Sequence, residues 1–186
     1  MLCLWGVGQM LGVKRNHVVL VPYDEAWADE YAAVKKELTS ILGDNAVALH
    51  HIGSTAIKGI LAKPILDIAV EATKIESLNI TGMEAAGYEW RGDHAVKGDY
   101  LFVKRRNGDI SVCHIHCYPK GSENLKTTVL FRDYLNRHPD YARQYNDLKE
   151  KLADRYPDDR ALYTKGKADF IRQIISLARN EQRRNS

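Results

Sequence analysis

The chain has 186 residues, 45% of them hydrophobic and 27% charged, the balance of an ordinary globular domain that needs neither a membrane nor an unusual solvent. Its 27 basic and 24 acidic residues leave a formal charge of +3, too small by itself to indicate nucleic acid but compatible with a phosphate-bearing ligand. A chain of this length buries roughly two thirds of its unfolded surface, and its cysteines, Cys3, Cys113 and Cys117, form no CxxC pair, so neither a disulfide framework nor a zinc ribbon is implied.

Residues 1–13 are apolar and glycine-rich, and Lys14 and Arg15 come directly after them. A signal peptide carries its charge ahead of the apolar run, and this run is too short to span a bilayer. Residues 1–16 are therefore expected to form an N-terminal extension, and the chain is expected to be cytoplasmic with no membrane partner. The β-branched run 17–21 (HVVLV), closed by Pro22, predicts a strand. Asp24 caps a helix over about 25–42, where Trp27, Tyr31, Val34, Leu38 and Ile41 recur at helical spacing and Gly43 ends the run. Residues 46–52 predict a strand halted by Gly53-Ser54. A glycine-containing loop then ends at Lys63-Pro64, and 65–70 (ILDIAV) predicts a buried strand. Weaker periodicity gives a helix over 75–86, with short strands after it at 88–91 and 100–104. Asn107-Gly108, both tolerant of positive φ, turn the chain into a strand over 110–118. Alternation in ISVCHIHCY puts His114 and His116 on one face and Cys113, Ile115 and Cys117 on the other.

Helical patterns occupy 125–136, 139–155 and 160–179, with Pro139 in a first-turn position, a break at Pro157, and a polar tail at 181–186. A mixed sheet leading into a helical block is an α+β domain, here spanning 17–180.

The stretch from His50, HHIGSTAIKGILAKPILDI, carries the most chemistry. Glycine lets a backbone approach a phosphate closely, and the Ser54 and Thr55 hydroxyls can donate to its oxygens. The same Gly-Ser-Thr can equally be a turn and a helix cap. Asp67, inside an apolar strand, requires a metal, a cation or several donors. His114 and His116 point the same way from their strand. With Asp67 they make a two-histidine, one-carboxylate set suited to a transition metal, or they only hydrogen-bond Asp67. His51 either contacts a phosphate or caps the loop, and Lys63 either neutralises a phosphate or is solvated. Arg132 either clamps an anion or forms an internal ion pair. Tyr163 and Lys167, four apart, share a helix face that can point into a cleft.

HIGSTAIKGILAKPILDIAV resembles the core signature of the GrpB (UPF0157) family, H-I-G-S-T-A-V-P-G-L-x-A-K-P-I-I-D-I. The resemblance extends to VPYDEAW at 21–27, the CHIHCY strand, Gly121-Ser122, LFRDYLNRHPDYARQYNDLK at 130–149 and YTKGKADFI at 163–171. It implies a nucleotidyltransferase-like fold, a mixed β-sheet with flanking helices and a C-terminal helical block. In that superfamily a Gly-Ser precedes a strand with two carboxylates, and a third carboxylate lies on a neighbouring strand. Together they hold two metal ions that align a hydroxyl with the α-phosphate of a nucleoside triphosphate. Gly53 and Ser54 match the first motif and Asp67 the first carboxylate, but Ala69 stands where the second belongs. Residues and resemblance together make Asp67, His114 and His116 the candidate catalytic and metal-ligating set, with Mg, Mn or Zn as the ion. His51, Gly53, Ser54, Thr55, Lys63, Arg132 and Lys167 are the candidate contacts to a nucleotide. The expected function is nucleotidyl transfer to an unidentified acceptor. The alternatives are a non-catalytic nucleotide- or coenzyme-binding accessory role and a metal-dependent hydrolase.

Overall fold

The structure is a computed structural model and describes residues 11–94 and 96–184; the first part of the expected N-terminal extension and the end of the tail lie outside these residues. One mixed sheet is built from β1 (Val13–Lys14), β2 (Ala46–Ile52), β3 (Leu66–Ala72), β4 (Tyr88–His94), β5 (Val96–Arg106) and β6 (Ile110–Pro119). Their order is β2-β3-β6-β5-β4, with β1 paired to the start of β6. β3 and β6 run parallel, and the other pairs are antiparallel.

The two faces of the sheet differ as the alternation in β6 requires. Leu66, Ile68 and Val70 of β3 with Cys113, Ile115 and Cys117 of β6 pack under Trp27, Leu38 and Leu42 of α1 (Ala26–Leu42) and Met83 of α2 (Ile80–Ala85). Asp67, His114 and His116 therefore face the opposite way, toward the helical block. That block comprises α3 (Glu123–Arg137), α4 (Pro139–Arg155), α5 (Arg160–Gly166) and α6 (Ala168–Arg184). It has a core of its own, in which Ile57 and Ile60 of the β2–β3 loop meet Leu135, Tyr145 and Ile174. Two asparagines fasten the loop's backbone to the helices. Asn136 donates to Ala56 O (2.9 Å) and accepts from Lys58 N (3.0 Å), while Asn146 accepts from Leu61 N (2.7 Å).

Five expectations need adjustment. Residues 17–21 form no strand, because Val18 N–H is drawn to Pro157 O and only Val21 pairs, in an isolated bridge with Ala62 of the β2–β3 loop. The helix expected over 75–86 is a single 3-10 turn, Ile75–Ser77, and then α2, which Asn79 caps by accepting from Gly82 N. The helix expected over 160–179 is broken into α5 and α6. A Cβ on Gly166 would collide with Leu152 Cδ2, so the glycine lets α5 close onto α4, and the chain bends at Lys167. Residues 13–14 of the expected extension belong to the sheet, and residues 181–184 of the expected tail continue α6. Among the described residues no helix is long and apolar enough to cross a membrane.

Candidate functional site

The parallel register sets Asp67 beside His114 and Ala69 beside His116, so the carboxylate and both imidazoles emerge on one face within one strand pair. His114 Nδ1 lies 2.9 Å and His116 Nε2 3.6 Å from Asp67 Oδ1, and one ligand atom from each residue falls within 4.8 Å of the others. Burial pushes the Asp67 carboxyl toward its neutral form. The hydrogen bonds and charges of the two histidines outweigh that and hold its pKa well below the ordinary range. His114 is displaced downward, first by burial and against the pull of Asp67, so the neutral imidazole is favoured.

The three residues form part of the floor of a cleft of about 1100 Å³ between the sheet and the helical block. Gly53 and Ser54 border it at the end of β2. Gly53 has φ +70° and ψ −170°, a conformation that essentially only glycine adopts, and a Cβ there would run into the Asp67 side chain. The chain then makes only the single 3-10 turn Ser54–Ala56, whose first internal amide bonds close back onto Gly53 O and Ser54 O. The Gly-Ser-Thr segment is thus a turn with no α-helix behind it, and it offers a phosphate no helix N-terminus.

The opposite wall is cationic. Lys63 and Lys167 both line the cleft, with their ammonium groups 5.5 and 4.5 Å from the centre of the Tyr163 ring, and Arg160 stands beside them. Burial, then the Arg160 charge, lowers Lys63 to about 8; burial, then the Lys63 charge, lowers Lys167 to about 7. Asp67 is the acid whose field reaches both. Tyr163 and Lys167 do point together into the cleft, as their four-residue spacing implies.

Three expected contacts are placed elsewhere. His51 pairs with Ile68 across β2–β3 and so belongs to the α1 side of the sheet, opposite Asp67. There it stacks on Tyr31 at 5.1 Å, and its Nε2 hydrogen-bonds Thr55 Oγ1 (2.9 Å). Burial lowers its pKa to about 4, which keeps it neutral. Thr55 is buried, with its hydroxyl directed at Ile65 O. Arg132 is spent on His51 O (2.7 Å) and Asp133 (2.7 Å), the internal ion pair rather than the anion clamp. None of the three lines the cleft.

Sequence reading missed Lys149, Arg160 and Asp99. Lys149 has no exposed surface, donates to Leu61 O and lies 5.0 Å from the centre of the Tyr145 ring. Its position was a readable signal, since Ala142, Tyr145 and Lys149 form the buried stripe of α4 at helical spacing. Asp99, on β5, borders the cleft and accepts from Asn124 Nδ2 (2.7 Å), a contact between distant segments that no local pattern announces.

The model of the GrpB protein family matches residues 17–177. The chain is 36% identical over 160 residues to UPF0157 protein YqkA of Bacillus subtilis, covering 85% of this chain and 46% of that protein, so it spans less than half of that relative. It is 36% identical over 172 residues to glutamate-rich protein GrpB of Alkalihalophilus pseudofirmus, covering 90% of this chain and 99% of that one. Its fold is similar to the crystal structure of conserved protein GrpB from Enterococcus faecalis, with a TM-score of 0.81 and 29% identity over 88% of this chain and 99% of that chain. By sequence across nearly its whole length, this chain belongs to the GrpB protein family.

Proposed function

We propose that this chain binds one transition-metal ion on Asp67, His114 and His116, and holds a phosphate-bearing ligand between that ion and the cationic wall. A nucleoside triphosphate is the first candidate. The observation that carries the reading is the pairing of a three-donor cluster, its ligand atoms within 4.8 Å, with two lysines, Lys63 and Lys167, that line the same cleft. The donor set fits a metal. Two donors about 2 Å from a tetrahedral ion stand about 3.3 Å apart, and the contacts to Asp67 Oδ1 are 2.9 and 3.6 Å. Two imidazoles and one carboxylate favour Zn or Mn over Mg, which prefers oxygen donors.

When bound, the ion would supply Lewis acidity toward a phosphate oxygen. The chain's own residues do the rest. Lys63 and Lys167 offset negative charge on the phosphates, Tyr163 holds both ammonium groups in place, and Gly53 and Ser54 leave room for the ligand at the floor. A nucleotidyltransferase-like fold and nucleotidyl transfer to an acceptor agree with this layout. The two-carboxylate, two-metal arrangement is not part of the proposal, because position 69 is a buried alanine. That same alanine favours a second reading, a nucleotide- or coenzyme-binding accessory protein that keeps the pocket without the transfer chemistry; hydrolysis at the same three residues is the remaining option.

The test is metal analysis of the purified protein, joined to thermal shifts with the four ribonucleoside triphosphates and Zn²⁺, Mn²⁺ or Mg²⁺. Binding to the folded state raises the midpoint as ligand exceeds its dissociation constant. A midpoint rise that needs both nucleotide and metal supports the proposal, and indifference to every combination contradicts it.

A further inference from the structure

Beside the histidine pair lies a second, smaller cavity of about 280 Å³, with His114 and His116 among its walls. Arginines from four separate segments surround it: Arg15 after β1, Arg91 on β4, Arg105 on β5 and Arg160 at the start of α5. Asn16, His114, His116 and Arg160 border both this groove and the main cleft, so they form the ridge between the two. The ridge is pinned from both sides. His17 Nδ1 sits 2.6 Å from Asp158, and Val18 N–H donates to Pro157 O (2.7 Å), which fastens the N-terminal segment to the turn before α5.

The charges in this groove do not balance. Its arginines share one carboxylate, Glu89, which pairs with Arg105, lies 3.7 Å from Arg91 and feels the field of Arg15. Arg160 has no ion-pair partner among the described residues, and its charge reaches His114. Arg105 is 11% exposed, and its Nε–H finds no acceptor among the described residues. Buried guanidinium donors are ordinarily satisfied, and an anion's oxygen is the partner that a planar fork fits best.

We propose that this groove is a second anion site, which takes a phosphate group of a small second substrate and presents the rest of that molecule to the histidine pair from the side opposite the cleft. Four guanidinium groups, two of them paired with Glu89, exceed what a single carboxylate needs and suit a phosphate dianion. The volume accommodates a phosphate with a small ester group, not a polymer. The arginines need no metal to hold a phosphate, so failure of this site and failure of the metal reading can be told apart.

The probe is inorganic phosphate, titrated into the metal-free full chain while the arginine Nε–H signals are followed by NMR, with sodium chloride at equal ionic strength as the control. Arg105 Nε–H should shift saturably with phosphate and not with chloride. The shift should persist in Lys63→Met/Lys167→Met, which removes the cationic wall of the cleft. Arg15→Gln/Arg91→Gln changes two exposed side chains, so it should leave the thermal midpoint in place while weakening the apparent affinity by about tenfold. The proposal is overturned by an Arg105 signal that ignores phosphate, by an equal response to chloride, or by unchanged affinity in the Arg15/Arg91 variant. Loss of the response with the two lysines would also overturn it.

Discussion

Gly53 lies so close to Asp67 that a Cβ at position 53 would sit 2.5 Å from Asp67 Oδ2 and 2.9 Å from Asp67 Cβ. The glycine between β2 and the loop is therefore part of what shapes the carboxylate's surroundings. Gly53→Ala meets two obstacles, the contact itself and a backbone conformation that costs on the order of 1–3 kcal/mol for a residue with a side chain. The expected outcome is a loss of that size in urea denaturation, together with loss of metal and nucleotide binding. An alanine variant of unchanged stability and affinity would contradict the geometry.

His51 and Thr55 brace the loop from behind, on the α1 side of the sheet. His51→Ala removes a hydrogen-bond partner of the buried Thr55 hydroxyl and a ring stacked on Tyr31. It should lower stability by roughly 1–3 kcal/mol while the folded protein keeps its affinity for metal. Loss of affinity without loss of stability would return His51 to the binding site.

Lys149 supplies a pH test. Burial, then the Lys167 charge, brings it to about 7 from an ordinary 10.5. Between these values the unfolded chain holds a proton that the folded chain lacks, so stability rises with pH across that window and falls as pH drops toward 7. Lys149→Met should flatten urea-denaturation stability between about pH 7 and 9, by up to about 1.4 kcal/mol per pH unit. Parallel pH profiles for the two proteins would show that the ammonium is not displaced.

Gly166 sets the bend that aims Tyr163 and Lys167 into the cleft. Gly166→Leu overpacks the contact with Leu152 and should cost about 1–3 kcal/mol. It should also weaken nucleotide binding, read by titration at a temperature where the variant is folded. Full affinity in a destabilised variant would mean that the bend does not position the lysine.

The sheet and the three-residue cluster were legible because each rests on a local period. Alternation in 110–118 put His114 and His116 on one face, and an apolar run around Asp67 marked β3. Register is not local. Whether His50 or His51 shares the face of Asp67 depends on how β2 pairs with β3, and the pairing of His51 with Ile68 put His51 on the far side. The break between α5 and α6 was likewise invisible, since Gly166 is dictated by Leu152 on another helix. Residues 17–21 have strand composition, but Val18 finds its acceptor at Pro157, in the turn between α4 and α5. The arginine groove draws on segments from Arg15 to Arg160 and exists only once they are folded together.

The most direct test of metal binding at Asp67 is calorimetric titration of the metal-free protein with Zn²⁺ and Mn²⁺, comparing the wild type with Asp67→Asn and recording the thermal midpoint of each. Asparagine keeps the shape of the side chain but removes its charge, and charges at functional sites are commonly kept at some expense of stability. A metal site here predicts one ion per wild-type chain, affinity reduced by about 100-fold or more in Asp67→Asn, and a midpoint that moves little or rises. A wild type that takes up neither ion contradicts it. So does an Asp67→Asn variant that loses about 3–5 kcal/mol of stability, the cost of breaking a structural buried pair, while its folded fraction binds metal as tightly as the wild type.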